Sequence, residues 1–426
     1  MTPVLIIANI FPPSGGSGVQ RTSKFVKHLR AFGYEPVVLT RTVGRMALKD
    51  ESLFADIPEG VRIERAPDWD LSERCGVPGK IIARKLLVPD GELLWASAAQ
   101  KMALRLIKEL DIKLTYSTST PYSDHLLGLR LKKKLPRVKW VADFRDEWTN
   151  NPYGLDNPHN PLRAAIERRM ERDVLAGADG LITNTPVMRQ NFLDNNPDIF
   201  KPGGKDFYVI PNGYDEEDFI GFADIKNQNA RFTITYTGLL YGRRKPDFFF
   251  EALRNLIRSG RVPPDGVTVQ LIGNYHADKL NVVIAQYGLT GVVKILGYMK
   301  HADCVREQLK SDALLLLEAE GPNAGAMYTG KIFEYMNAGR PVLGVLPKGA
   351  ARELLEQTGI GVAAGYSDVP GIENCVMKLY NDWRSGAASF APNRDEIKKY
   401  ERRALTRRLA GVFDDTLKSK GEQDVG

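Results

Sequence analysis

Residues 328–343 read YTGKIFEYMNAGRPVL. Ile332, Phe333 and Met336 fall on the buried side of a helix that opens near Lys331, while Lys331 and Glu334, three apart, share another face at its start. Ala338 and Gly339 end that helix, since glycine takes the left-handed conformation that closes a last turn. Pro341 then leads into a short apolar run of the kind buried in a parallel sheet. Before the helix, residues 318–327, EAEGPNAGAM, form a polar, glycine-rich loop after a strand, placed to act as a lid.

Working outward, the same alternation covers nearly the whole chain. Val/Ile-rich runs at 4–8, 36–39, 61–65, 113–117, 139–143, 181–184 and 208–210 alternate with longer helical patterns. The pattern restarts at 231–237, 267–272, 292–296, 313–317, 342–345 and 361–363. This predicts an α/β fold of two doubly wound, Rossmann-like domains facing a cleft. Residues 211–230, PNGYDEEDFIGFADIKNQNA, are polar and turn-rich without a clean period. The expected division is an N-terminal domain over 1–210, a linker over 211–230, a C-terminal domain over 231–392, and terminal helices over 393–426 that pack back toward the N-terminal domain. On such sheets ligands sit beyond the carboxyl ends of strands, so chemistry is sought in the loops that follow them.

The 426 residues are 26% charged and 43% hydrophobic, a globular composition at a length that splits into two domains. Net charge is +7, and residues 61–140 alone hold 16 basic residues against 9 acidic ones, so one stretch carries a surplus as large as the whole chain's. That points to one basic face for an anionic partner. Cys75, Cys304 and Cys375 lie far apart with neither CxxC nor Cys/His spacing, which argues against a disulfide framework or a zinc site and for a reducing cytoplasm. The N-terminus lacks a basic leader region, and no segment approaches the ~20 apolar residues of a membrane span. HExxH, GxSxG and P-loop patterns do not occur, and the Asp68-Trp69-Asp70 triplet reads as loop.

Four other stretches follow strand ends. Residues 11–21, FPPSGGSGVQR, join the first strand to a helix beginning near Val19. Gly16 and Gly18 let backbone N–H groups approach an anion at the helix N-terminus, or simply form a turn. A dinucleotide fingerprint is not met, because Arg21 replaces the third glycine and the second strand ends in Leu39-Thr40-Arg41 without a carboxylate for a ribose. In residues 140–153, WVADFRDEWTNNPY, Asp143 closes a strand while Arg145 and Asp146 enter the following loop. Alternation turns Asp143 and Arg145 to one side, so an ion pair between them is expected, as a structural tie or as part of a catalytic site. Residues 117–135 offer Ser119, Thr120 and Ser123 as hydroxyls, and His125 as an acid–base candidate or a satisfied structural side chain. In residues 236–249, YTGLLYGRRKPDFF, Gly238 permits close backbone approach, and Arg243, Arg244 and Lys245 precede a helix opened by Pro246. Cations beside a helix N-terminus oppose its dipole unless an anion neutralises them, which marks this turn as a candidate binding site.

Together, the glycine loop, DFRDEW at 143–148, IPNGYD at 210–215, YTG with its basic turn, and KIFEYMNAGRPVL at 331–343 resemble the family-4 glycosyltransferases of the GT-B fold. These are retaining enzymes that build bacterial surface polysaccharides, and the match runs in order over nearly the whole chain. The resemblance implies a nucleotide-sugar donor bound by the C-terminal domain, a glycan or polyprenyl-diphosphate-linked acceptor bound by the N-terminal one, and no metal or cofactor. By matching position, Glu334 takes the donor's ribose hydroxyls, Arg244 holds the diphosphate, and Lys331 lies near the phosphates with Tyr328, Thr329 and Gly330 in the loop before it. Leu239 stands where the family has an arginine, leaving Arg243 or Lys245 to substitute. Ala326 stands where the first glutamate of the EX7E motif belongs, so that carboxylate is absent or replaced by Glu318 or Glu320. Arg145 matches the strand-end histidine, Asp143 and Asp146 orient it or the acceptor, and His125 is a second candidate for part of that role. The nucleotide base is expected to meet Gly297, Tyr298 and Met299 largely through backbone.

The basic stretch has its own expectation. Lys80, Arg84, Lys85 and the helix end at 130–134, with Ile81, Ile82, Leu86 and Leu87 interleaved among the first three, suit an interfacial helix on anionic phospholipid. That places the protein in the cytoplasm, peripheral on the inner face of the cell membrane. A nucleic-acid partner is not expected, because the stretch lacks exposed aromatics at a recognition module's spacing. A sugar-nucleotide epimerase or hydrolase of the same fold, and a non-catalytic nucleotide-sugar-binding protein, stay open as other readings.

Overall fold

Val4, Leu5, Ile6 and Ile7 are buried on both faces of one strand, which requires a sheet covered by helices on both sides. This strand, β1 (Thr2–Ile7), joins β2 (Tyr34–Arg41), β3 (Arg62–Ala66), β4 (Leu114–Ser119), β5 (Lys139–Phe144), β6 (Gly180–Thr183) and β7 (Phe207–Val209) in a seven-stranded sheet of order β3-β2-β1-β4-β5-β6-β7. A second sheet holds β8 (Phe232–Thr237), β9 (Val267–Ile272), β10 (Val293–Gly297), β11 (Ala313–Leu317), β12 (Val342–Val345) and β13 (Gly361–Ala364) in the order β10-β9-β8-β11-β12-β13. All the pairings within these two sheets are parallel. Strand order reverses between β1 and β4 and between β8 and β11, so each sheet has a crevice for a ligand beyond those carboxyl ends. The structure is a computed structural model. It describes residues 1–419 except 16, 45–48, 70, 157, 202–204, 206, 223, 224, 226 and 387–389, with backbone alone at 17, 72, 84 and 153. Gly16, Asp70 and the Arg84 side chain therefore lie outside the described set.

The chain forms two compact units, Met1–Pro211 with the residues from Arg402 onward, and Asn212–Glu401. Residues 212–230, read above as linker, are part of the second unit. Tyr214 is buried in a core with Ile332, Phe333 and Tyr400, and Phe219 packs against it, so two aromatics in a polar stretch draw it into the sheet's cover. The terminal helices divide between the units. Ile397 and Tyr400 join that same core, whereas Leu405, Leu409 and Phe413 of the helix Arg402–Lys418 pack with Phe25, Tyr116 and Val141 of the first unit.

Candidate functional site

In the first unit, Asp143 is the last residue but one of β5, with its side chain fully buried, and its partner is Arg21 on the helix Ser17–Leu29 rather than Arg145. Arg21 Nε and Nη2 donate to the two Asp143 oxygens at 2.8 and 2.9 Å, and Nη1 and Nη2 donate to the carbonyls of Pro211 and Ile210, each at 2.8 Å. Tyr116 and Thr118 hydroxyls complete the shell of Asp143. A carboxylate so enclosed ties the first helix, two strands and the chain leaving the unit together; it does not face a substrate.

The expected pair with Arg145 fails because β5 stops at Phe144, so alternation no longer governs residue 145. Arg145 instead folds back onto the carbonyls of Gly18, Ser119 and Thr120, beyond the ends of β1 and β4. A Cβ on Gly18 would lie 3.2 Å from its guanidinium, so this glycine admits an arginine side chain. The neighbouring Asp146 is half-buried, and desolvation raises its carboxyl above the ordinary range while Arg145 opposes the rise.

His125 takes the structural one of its two readings, not the acid–base one. It is fully buried on the helix Ser123–Lys134, its Nδ1 lies 2.8 Å from Ser117 Oγ, and its ring packs 4.4 Å from that of Phe144. Burial lowers it to about 3, with Asp143 opposing, so the ring stays neutral and serves as a core side chain. Two groups that sequence reasoning passed over stand nearby. Asp90 accepts hydrogen bonds from the Tyr122 and Ser123 amides and the Ser123 hydroxyl. Glu92 is raised to about 7, by desolvation first and by Asp90 second. Both line a cavity of about 330 Å³ with Arg41, Asp68, Lys80 and Arg163, and Asp68 of the acidic triplet is ion-paired to Arg41 at 3.1 Å.

The basic stretch is partly neutralised. Arg62 pairs with Glu64 and Glu109, and Lys132 with Asp179, so Lys132 is a structural cation rather than a surface one. The segment Leu71–Leu86 is helical on either side of Gly76, where φ is 60°. It leaves Val77, Ile81, Ile82 and Leu86 exposed beside exposed Lys80 and Lys85.

In the second unit, three side chains meet beyond β8 and β11. Lys331 opens the helix Lys331–Ala338, with Gly330 as a cap that supplies no side-chain bond and Gly339 at φ 63° ending it. Its amine lies 4.9 Å above the Tyr236 ring centre and donates to the Tyr236 hydroxyl at 3.3 Å. Gly238 has φ 121°, a conformation that demands glycine, and a Cβ there would push the end of the Lys331 side chain aside. Desolvation lowers Lys331 to about 8, Arg244 adds to the fall, and Glu318 and Glu334 oppose it.

Arg244 lies over the Tyr241 ring and donates through Nη2 to both oxygens of Glu318, each at 2.6 Å, while its Nε is buried without a partner. Glu318 follows β11, its amide bonded to the Val345 carbonyl, which aims it at the turn after β8. The turn is pinned by the Tyr366 hydroxyl, which bonds the backbone of residues 243 and 245, leaving the Arg243 and Lys245 side chains at the surface. Glu334 accepts from buried Gln308 at 2.6 Å, and Gln308 also donates to Thr237. Ala326 is buried, and Glu320 bonds Ser367. Tyr328 packs edge-on against Phe333, the Thr329 carbonyl accepts from the Ile332 amide, Tyr298 is exposed, and the Met299 carbonyl faces the Cys304 thiol.

Two parallel-sheet units with a cationic pair at the second switch point are what a diphosphate-binding transferase needs, and two family models match the chain in that order. "Glycosyltransferase Family 4" matches residues 17–218, and "Glycosyl transferases group 1" matches residues 231–382. The chain belongs to the family-4 glycosyltransferases. It is a nucleotide-sugar-dependent transferase of the GT-B fold.

Solved structures agree on the fold. Sucrose-phosphate synthase from Thermosynechococcus elongatus is similar at a TM-score of 0.68 and 13% identity, covering 97% of this chain and 99% of that one. A glycosyltransferase from Rickettsia africae matches at 0.68 and 14%, covering 98% and 99%. HepE of Anabaena in complex with UDP matches at 0.63 and 15%, covering 97% and 100%. No curated protein matches this family-4 transferase in sequence. Among the described residues, no helix is long and apolar enough to cross a membrane.

Proposed function

We propose that the protein is a retaining glycosyltransferase that moves a sugar from a nucleoside-diphosphate donor to a glycan or polyprenyl-diphosphate-linked acceptor, in the synthesis of a bacterial surface polysaccharide or glycoconjugate. The convergence of Arg244, Lys331 and the bare backbone of Gly238 at the β8/β11 switch point carries this reading. Breaking the bond between the anomeric carbon and the β-phosphate oxygen leaves an oxocarbenium-like sugar and a diphosphate, whose growing negative charge the two cations stabilise. Glu334 takes the ribose hydroxyls, held in place by Gln308. The acceptor hydroxyl attacks from the face the diphosphate leaves, and its proton passes to a β-phosphate oxygen. On this route no protein nucleophile, metal or cofactor is required.

The acceptor's sugar head enters the first unit's cavity, where Arg41, Asp68, Asp90 and Glu92 supply the planar polar groups that hydroxyls bind. Beside it, the exposed Ile81, Ile82 and Leu86 with Lys80 and Lys85 dock on anionic phospholipid that presents a lipid-linked acceptor. The test is incubation with a panel of nucleotide-sugars and polyprenyl-diphosphate-linked acceptors in anionic vesicles, with NMR of the product. Transfer with the donor's anomeric configuration kept is expected. Inversion overturns the mechanism, and donor epimerised without transfer overturns the function.

A further inference from the structure

The Arg244–Glu318 pair is not explained by the reaction above. Arg244 is the residue assigned to the diphosphate, yet both oxygens of Glu318 already sit 2.6 Å from its Nη2. The pair is neither a surface contact nor a sealed one, with side chains 11% and 20% exposed. Its geometry is one-sided. The carboxylate grips a single guanidinium nitrogen, while Nε is buried and unpartnered, so this arginine still has capacity for a further acceptor.

We propose that Glu318 is an internal counter-ion of the donor site, which a donor diphosphate displaces from Arg244. This rests on the assignment of Arg244 and Lys331 to the donor. Around Lys331 stand Arg244 from the turn after β8, Glu318 after β11, Glu334 on its own helix and the Tyr236 hydroxyl from β8. Without Glu318, two cations that repel one another electrostatically are left at the site, one of them on the first, positive turn of the helix Lys331–Ala338. Glu318 offsets that repulsion and helps Lys331 keep its proton. When a diphosphate arrives, its four non-bridging oxygens, which share two negative charges, take over both tasks, and the carboxylate, now beside like charge, leaves. The sugar attached to that diphosphate then finds Glu318 free to accept its hydroxyls, a role for which Ala326 has no carboxylate.

Neutralising this acid must then improve anion binding. Glu318→Gln keeps the size of the side chain and removes the charge. Calorimetric titration with UDP, GDP, ADP and inorganic pyrophosphate at pH 6.5 is expected to show about tenfold tighter binding by the variant for whichever probe the wild type binds, the size of one partly exposed ion pair no longer to be broken. The pH at which binding weakens moves downward, because Lys331 loses a neighbour that favours its charged form. In an Arg244→Ala background the same substitution loses most of its gain. Thermal unfolding of each variant verifies the fold. Weaker or unchanged binding by Glu318→Gln, beside normal binding by the wild type, overturns the counter-ion and leaves the donor site standing. Absence of binding by wild type and variant alike overturns the donor site and the counter-ion with it.

Discussion

Replacing Asp143 by asparagine separates a structural acid from a catalytic one. Asp143 sits at a strand end, where a glycosyltransferase of this family carries site residues, but its charge is spent on Arg21 at 2.8 and 2.9 Å with the two side chains 1% and 0% exposed. In Asp143→Asn the guanidinium of Arg21 stays buried with the Ile210 and Pro211 carbonyls and a neutral amide. Breaking a buried pair by removing one partner costs about 3–5 kcal/mol. In a domain whose whole stability is about 5–15 kcal/mol, this is a large share, and for a unit of this size it lowers Tm by roughly 10 °C. An exposed pair is the control: Arg172–Asp198, with side chains 44% and 62% exposed, is worth at most ~1 kcal/mol. Tryptophan fluorescence during urea unfolding isolates the right unit, since Trp69, Trp95, Trp140 and Trp148 lie in the first and Trp383 in the second. A large loss in the first unit's transition is expected, with donor binding unchanged at a temperature where the variant is folded. A variant as stable as wild type but without turnover would refute the structural assignment.

Other outcomes follow from the same structure. Lys331→Met is expected to cost about a hundredfold or more in turnover by removing a cation at the leaving group, measured by steady-state kinetics with folding checked by circular dichroism. Gly238→Ala, whose Cβ would run into Lys331 in a φ of 121°, is expected to lose donor affinity, read by titration with nucleoside diphosphates. Because Lys331 is lowered to about 8, its charge is present below that pH and lost above it, so nucleoside-diphosphate affinity falls as pH rises through about 8; affinity flat from pH 6 to 10 removes Lys331 from the phosphate. His125→Gln is expected to leave the pH–rate profile between pH 5 and 8 unmoved, since the imidazole is already neutral there with a value of about 3. Ile81→Ser with Ile82→Ser is expected to reduce co-sedimentation with anionic vesicles while leaving nucleoside-diphosphate affinity intact; retained sedimentation rules out this helix as the docking surface.

The thirteen strands among the described residues coincide with the runs read from the sequence; most, such as β1, β8 and β11, are buried on both faces and so near-continuously apolar, whereas β3, RIERA, is a partly buried edge strand. The helix 331–338 was legible for the opposite reason, since its glycine stop and the spacing of Ile332, Phe333 and Met336 are local signals. Partnership was not local. Arg21 and Asp143 lie 122 residues apart, and Arg244 and Glu318 lie 74 apart, so no period or spacing reports either pair. The expected Asp143–Arg145 pair used a local rule one residue beyond the strand that justified it. His125 stayed open between two readings for a different reason: the first turn after a strand end is a common address for a catalytic group and equally for a side chain that closes the core, and only burial tells them apart.

The two ion pairs sharpen that distinction. Each joins an arginine supplied after the first strand of a sheet, β1 or β8, to an acid at the end of a later strand, β5 or β11. By residue type and chain order they are the same device. In the first unit the arginine is excluded from solvent and finds two backbone carbonyls besides its carboxylate. An incoming anion would have to displace a fully coordinated buried carboxylate, and removing that partner alone is worth several kcal/mol. In the second unit the carboxylate is bound through one nitrogen, both partners reach solvent, and a partly charged lysine stands beside them. There the exchange of one anion for another has a small net cost. Satisfaction and exposure, rather than the charges themselves, make one pair a fixed joint of the fold and the other a displaceable part of the site.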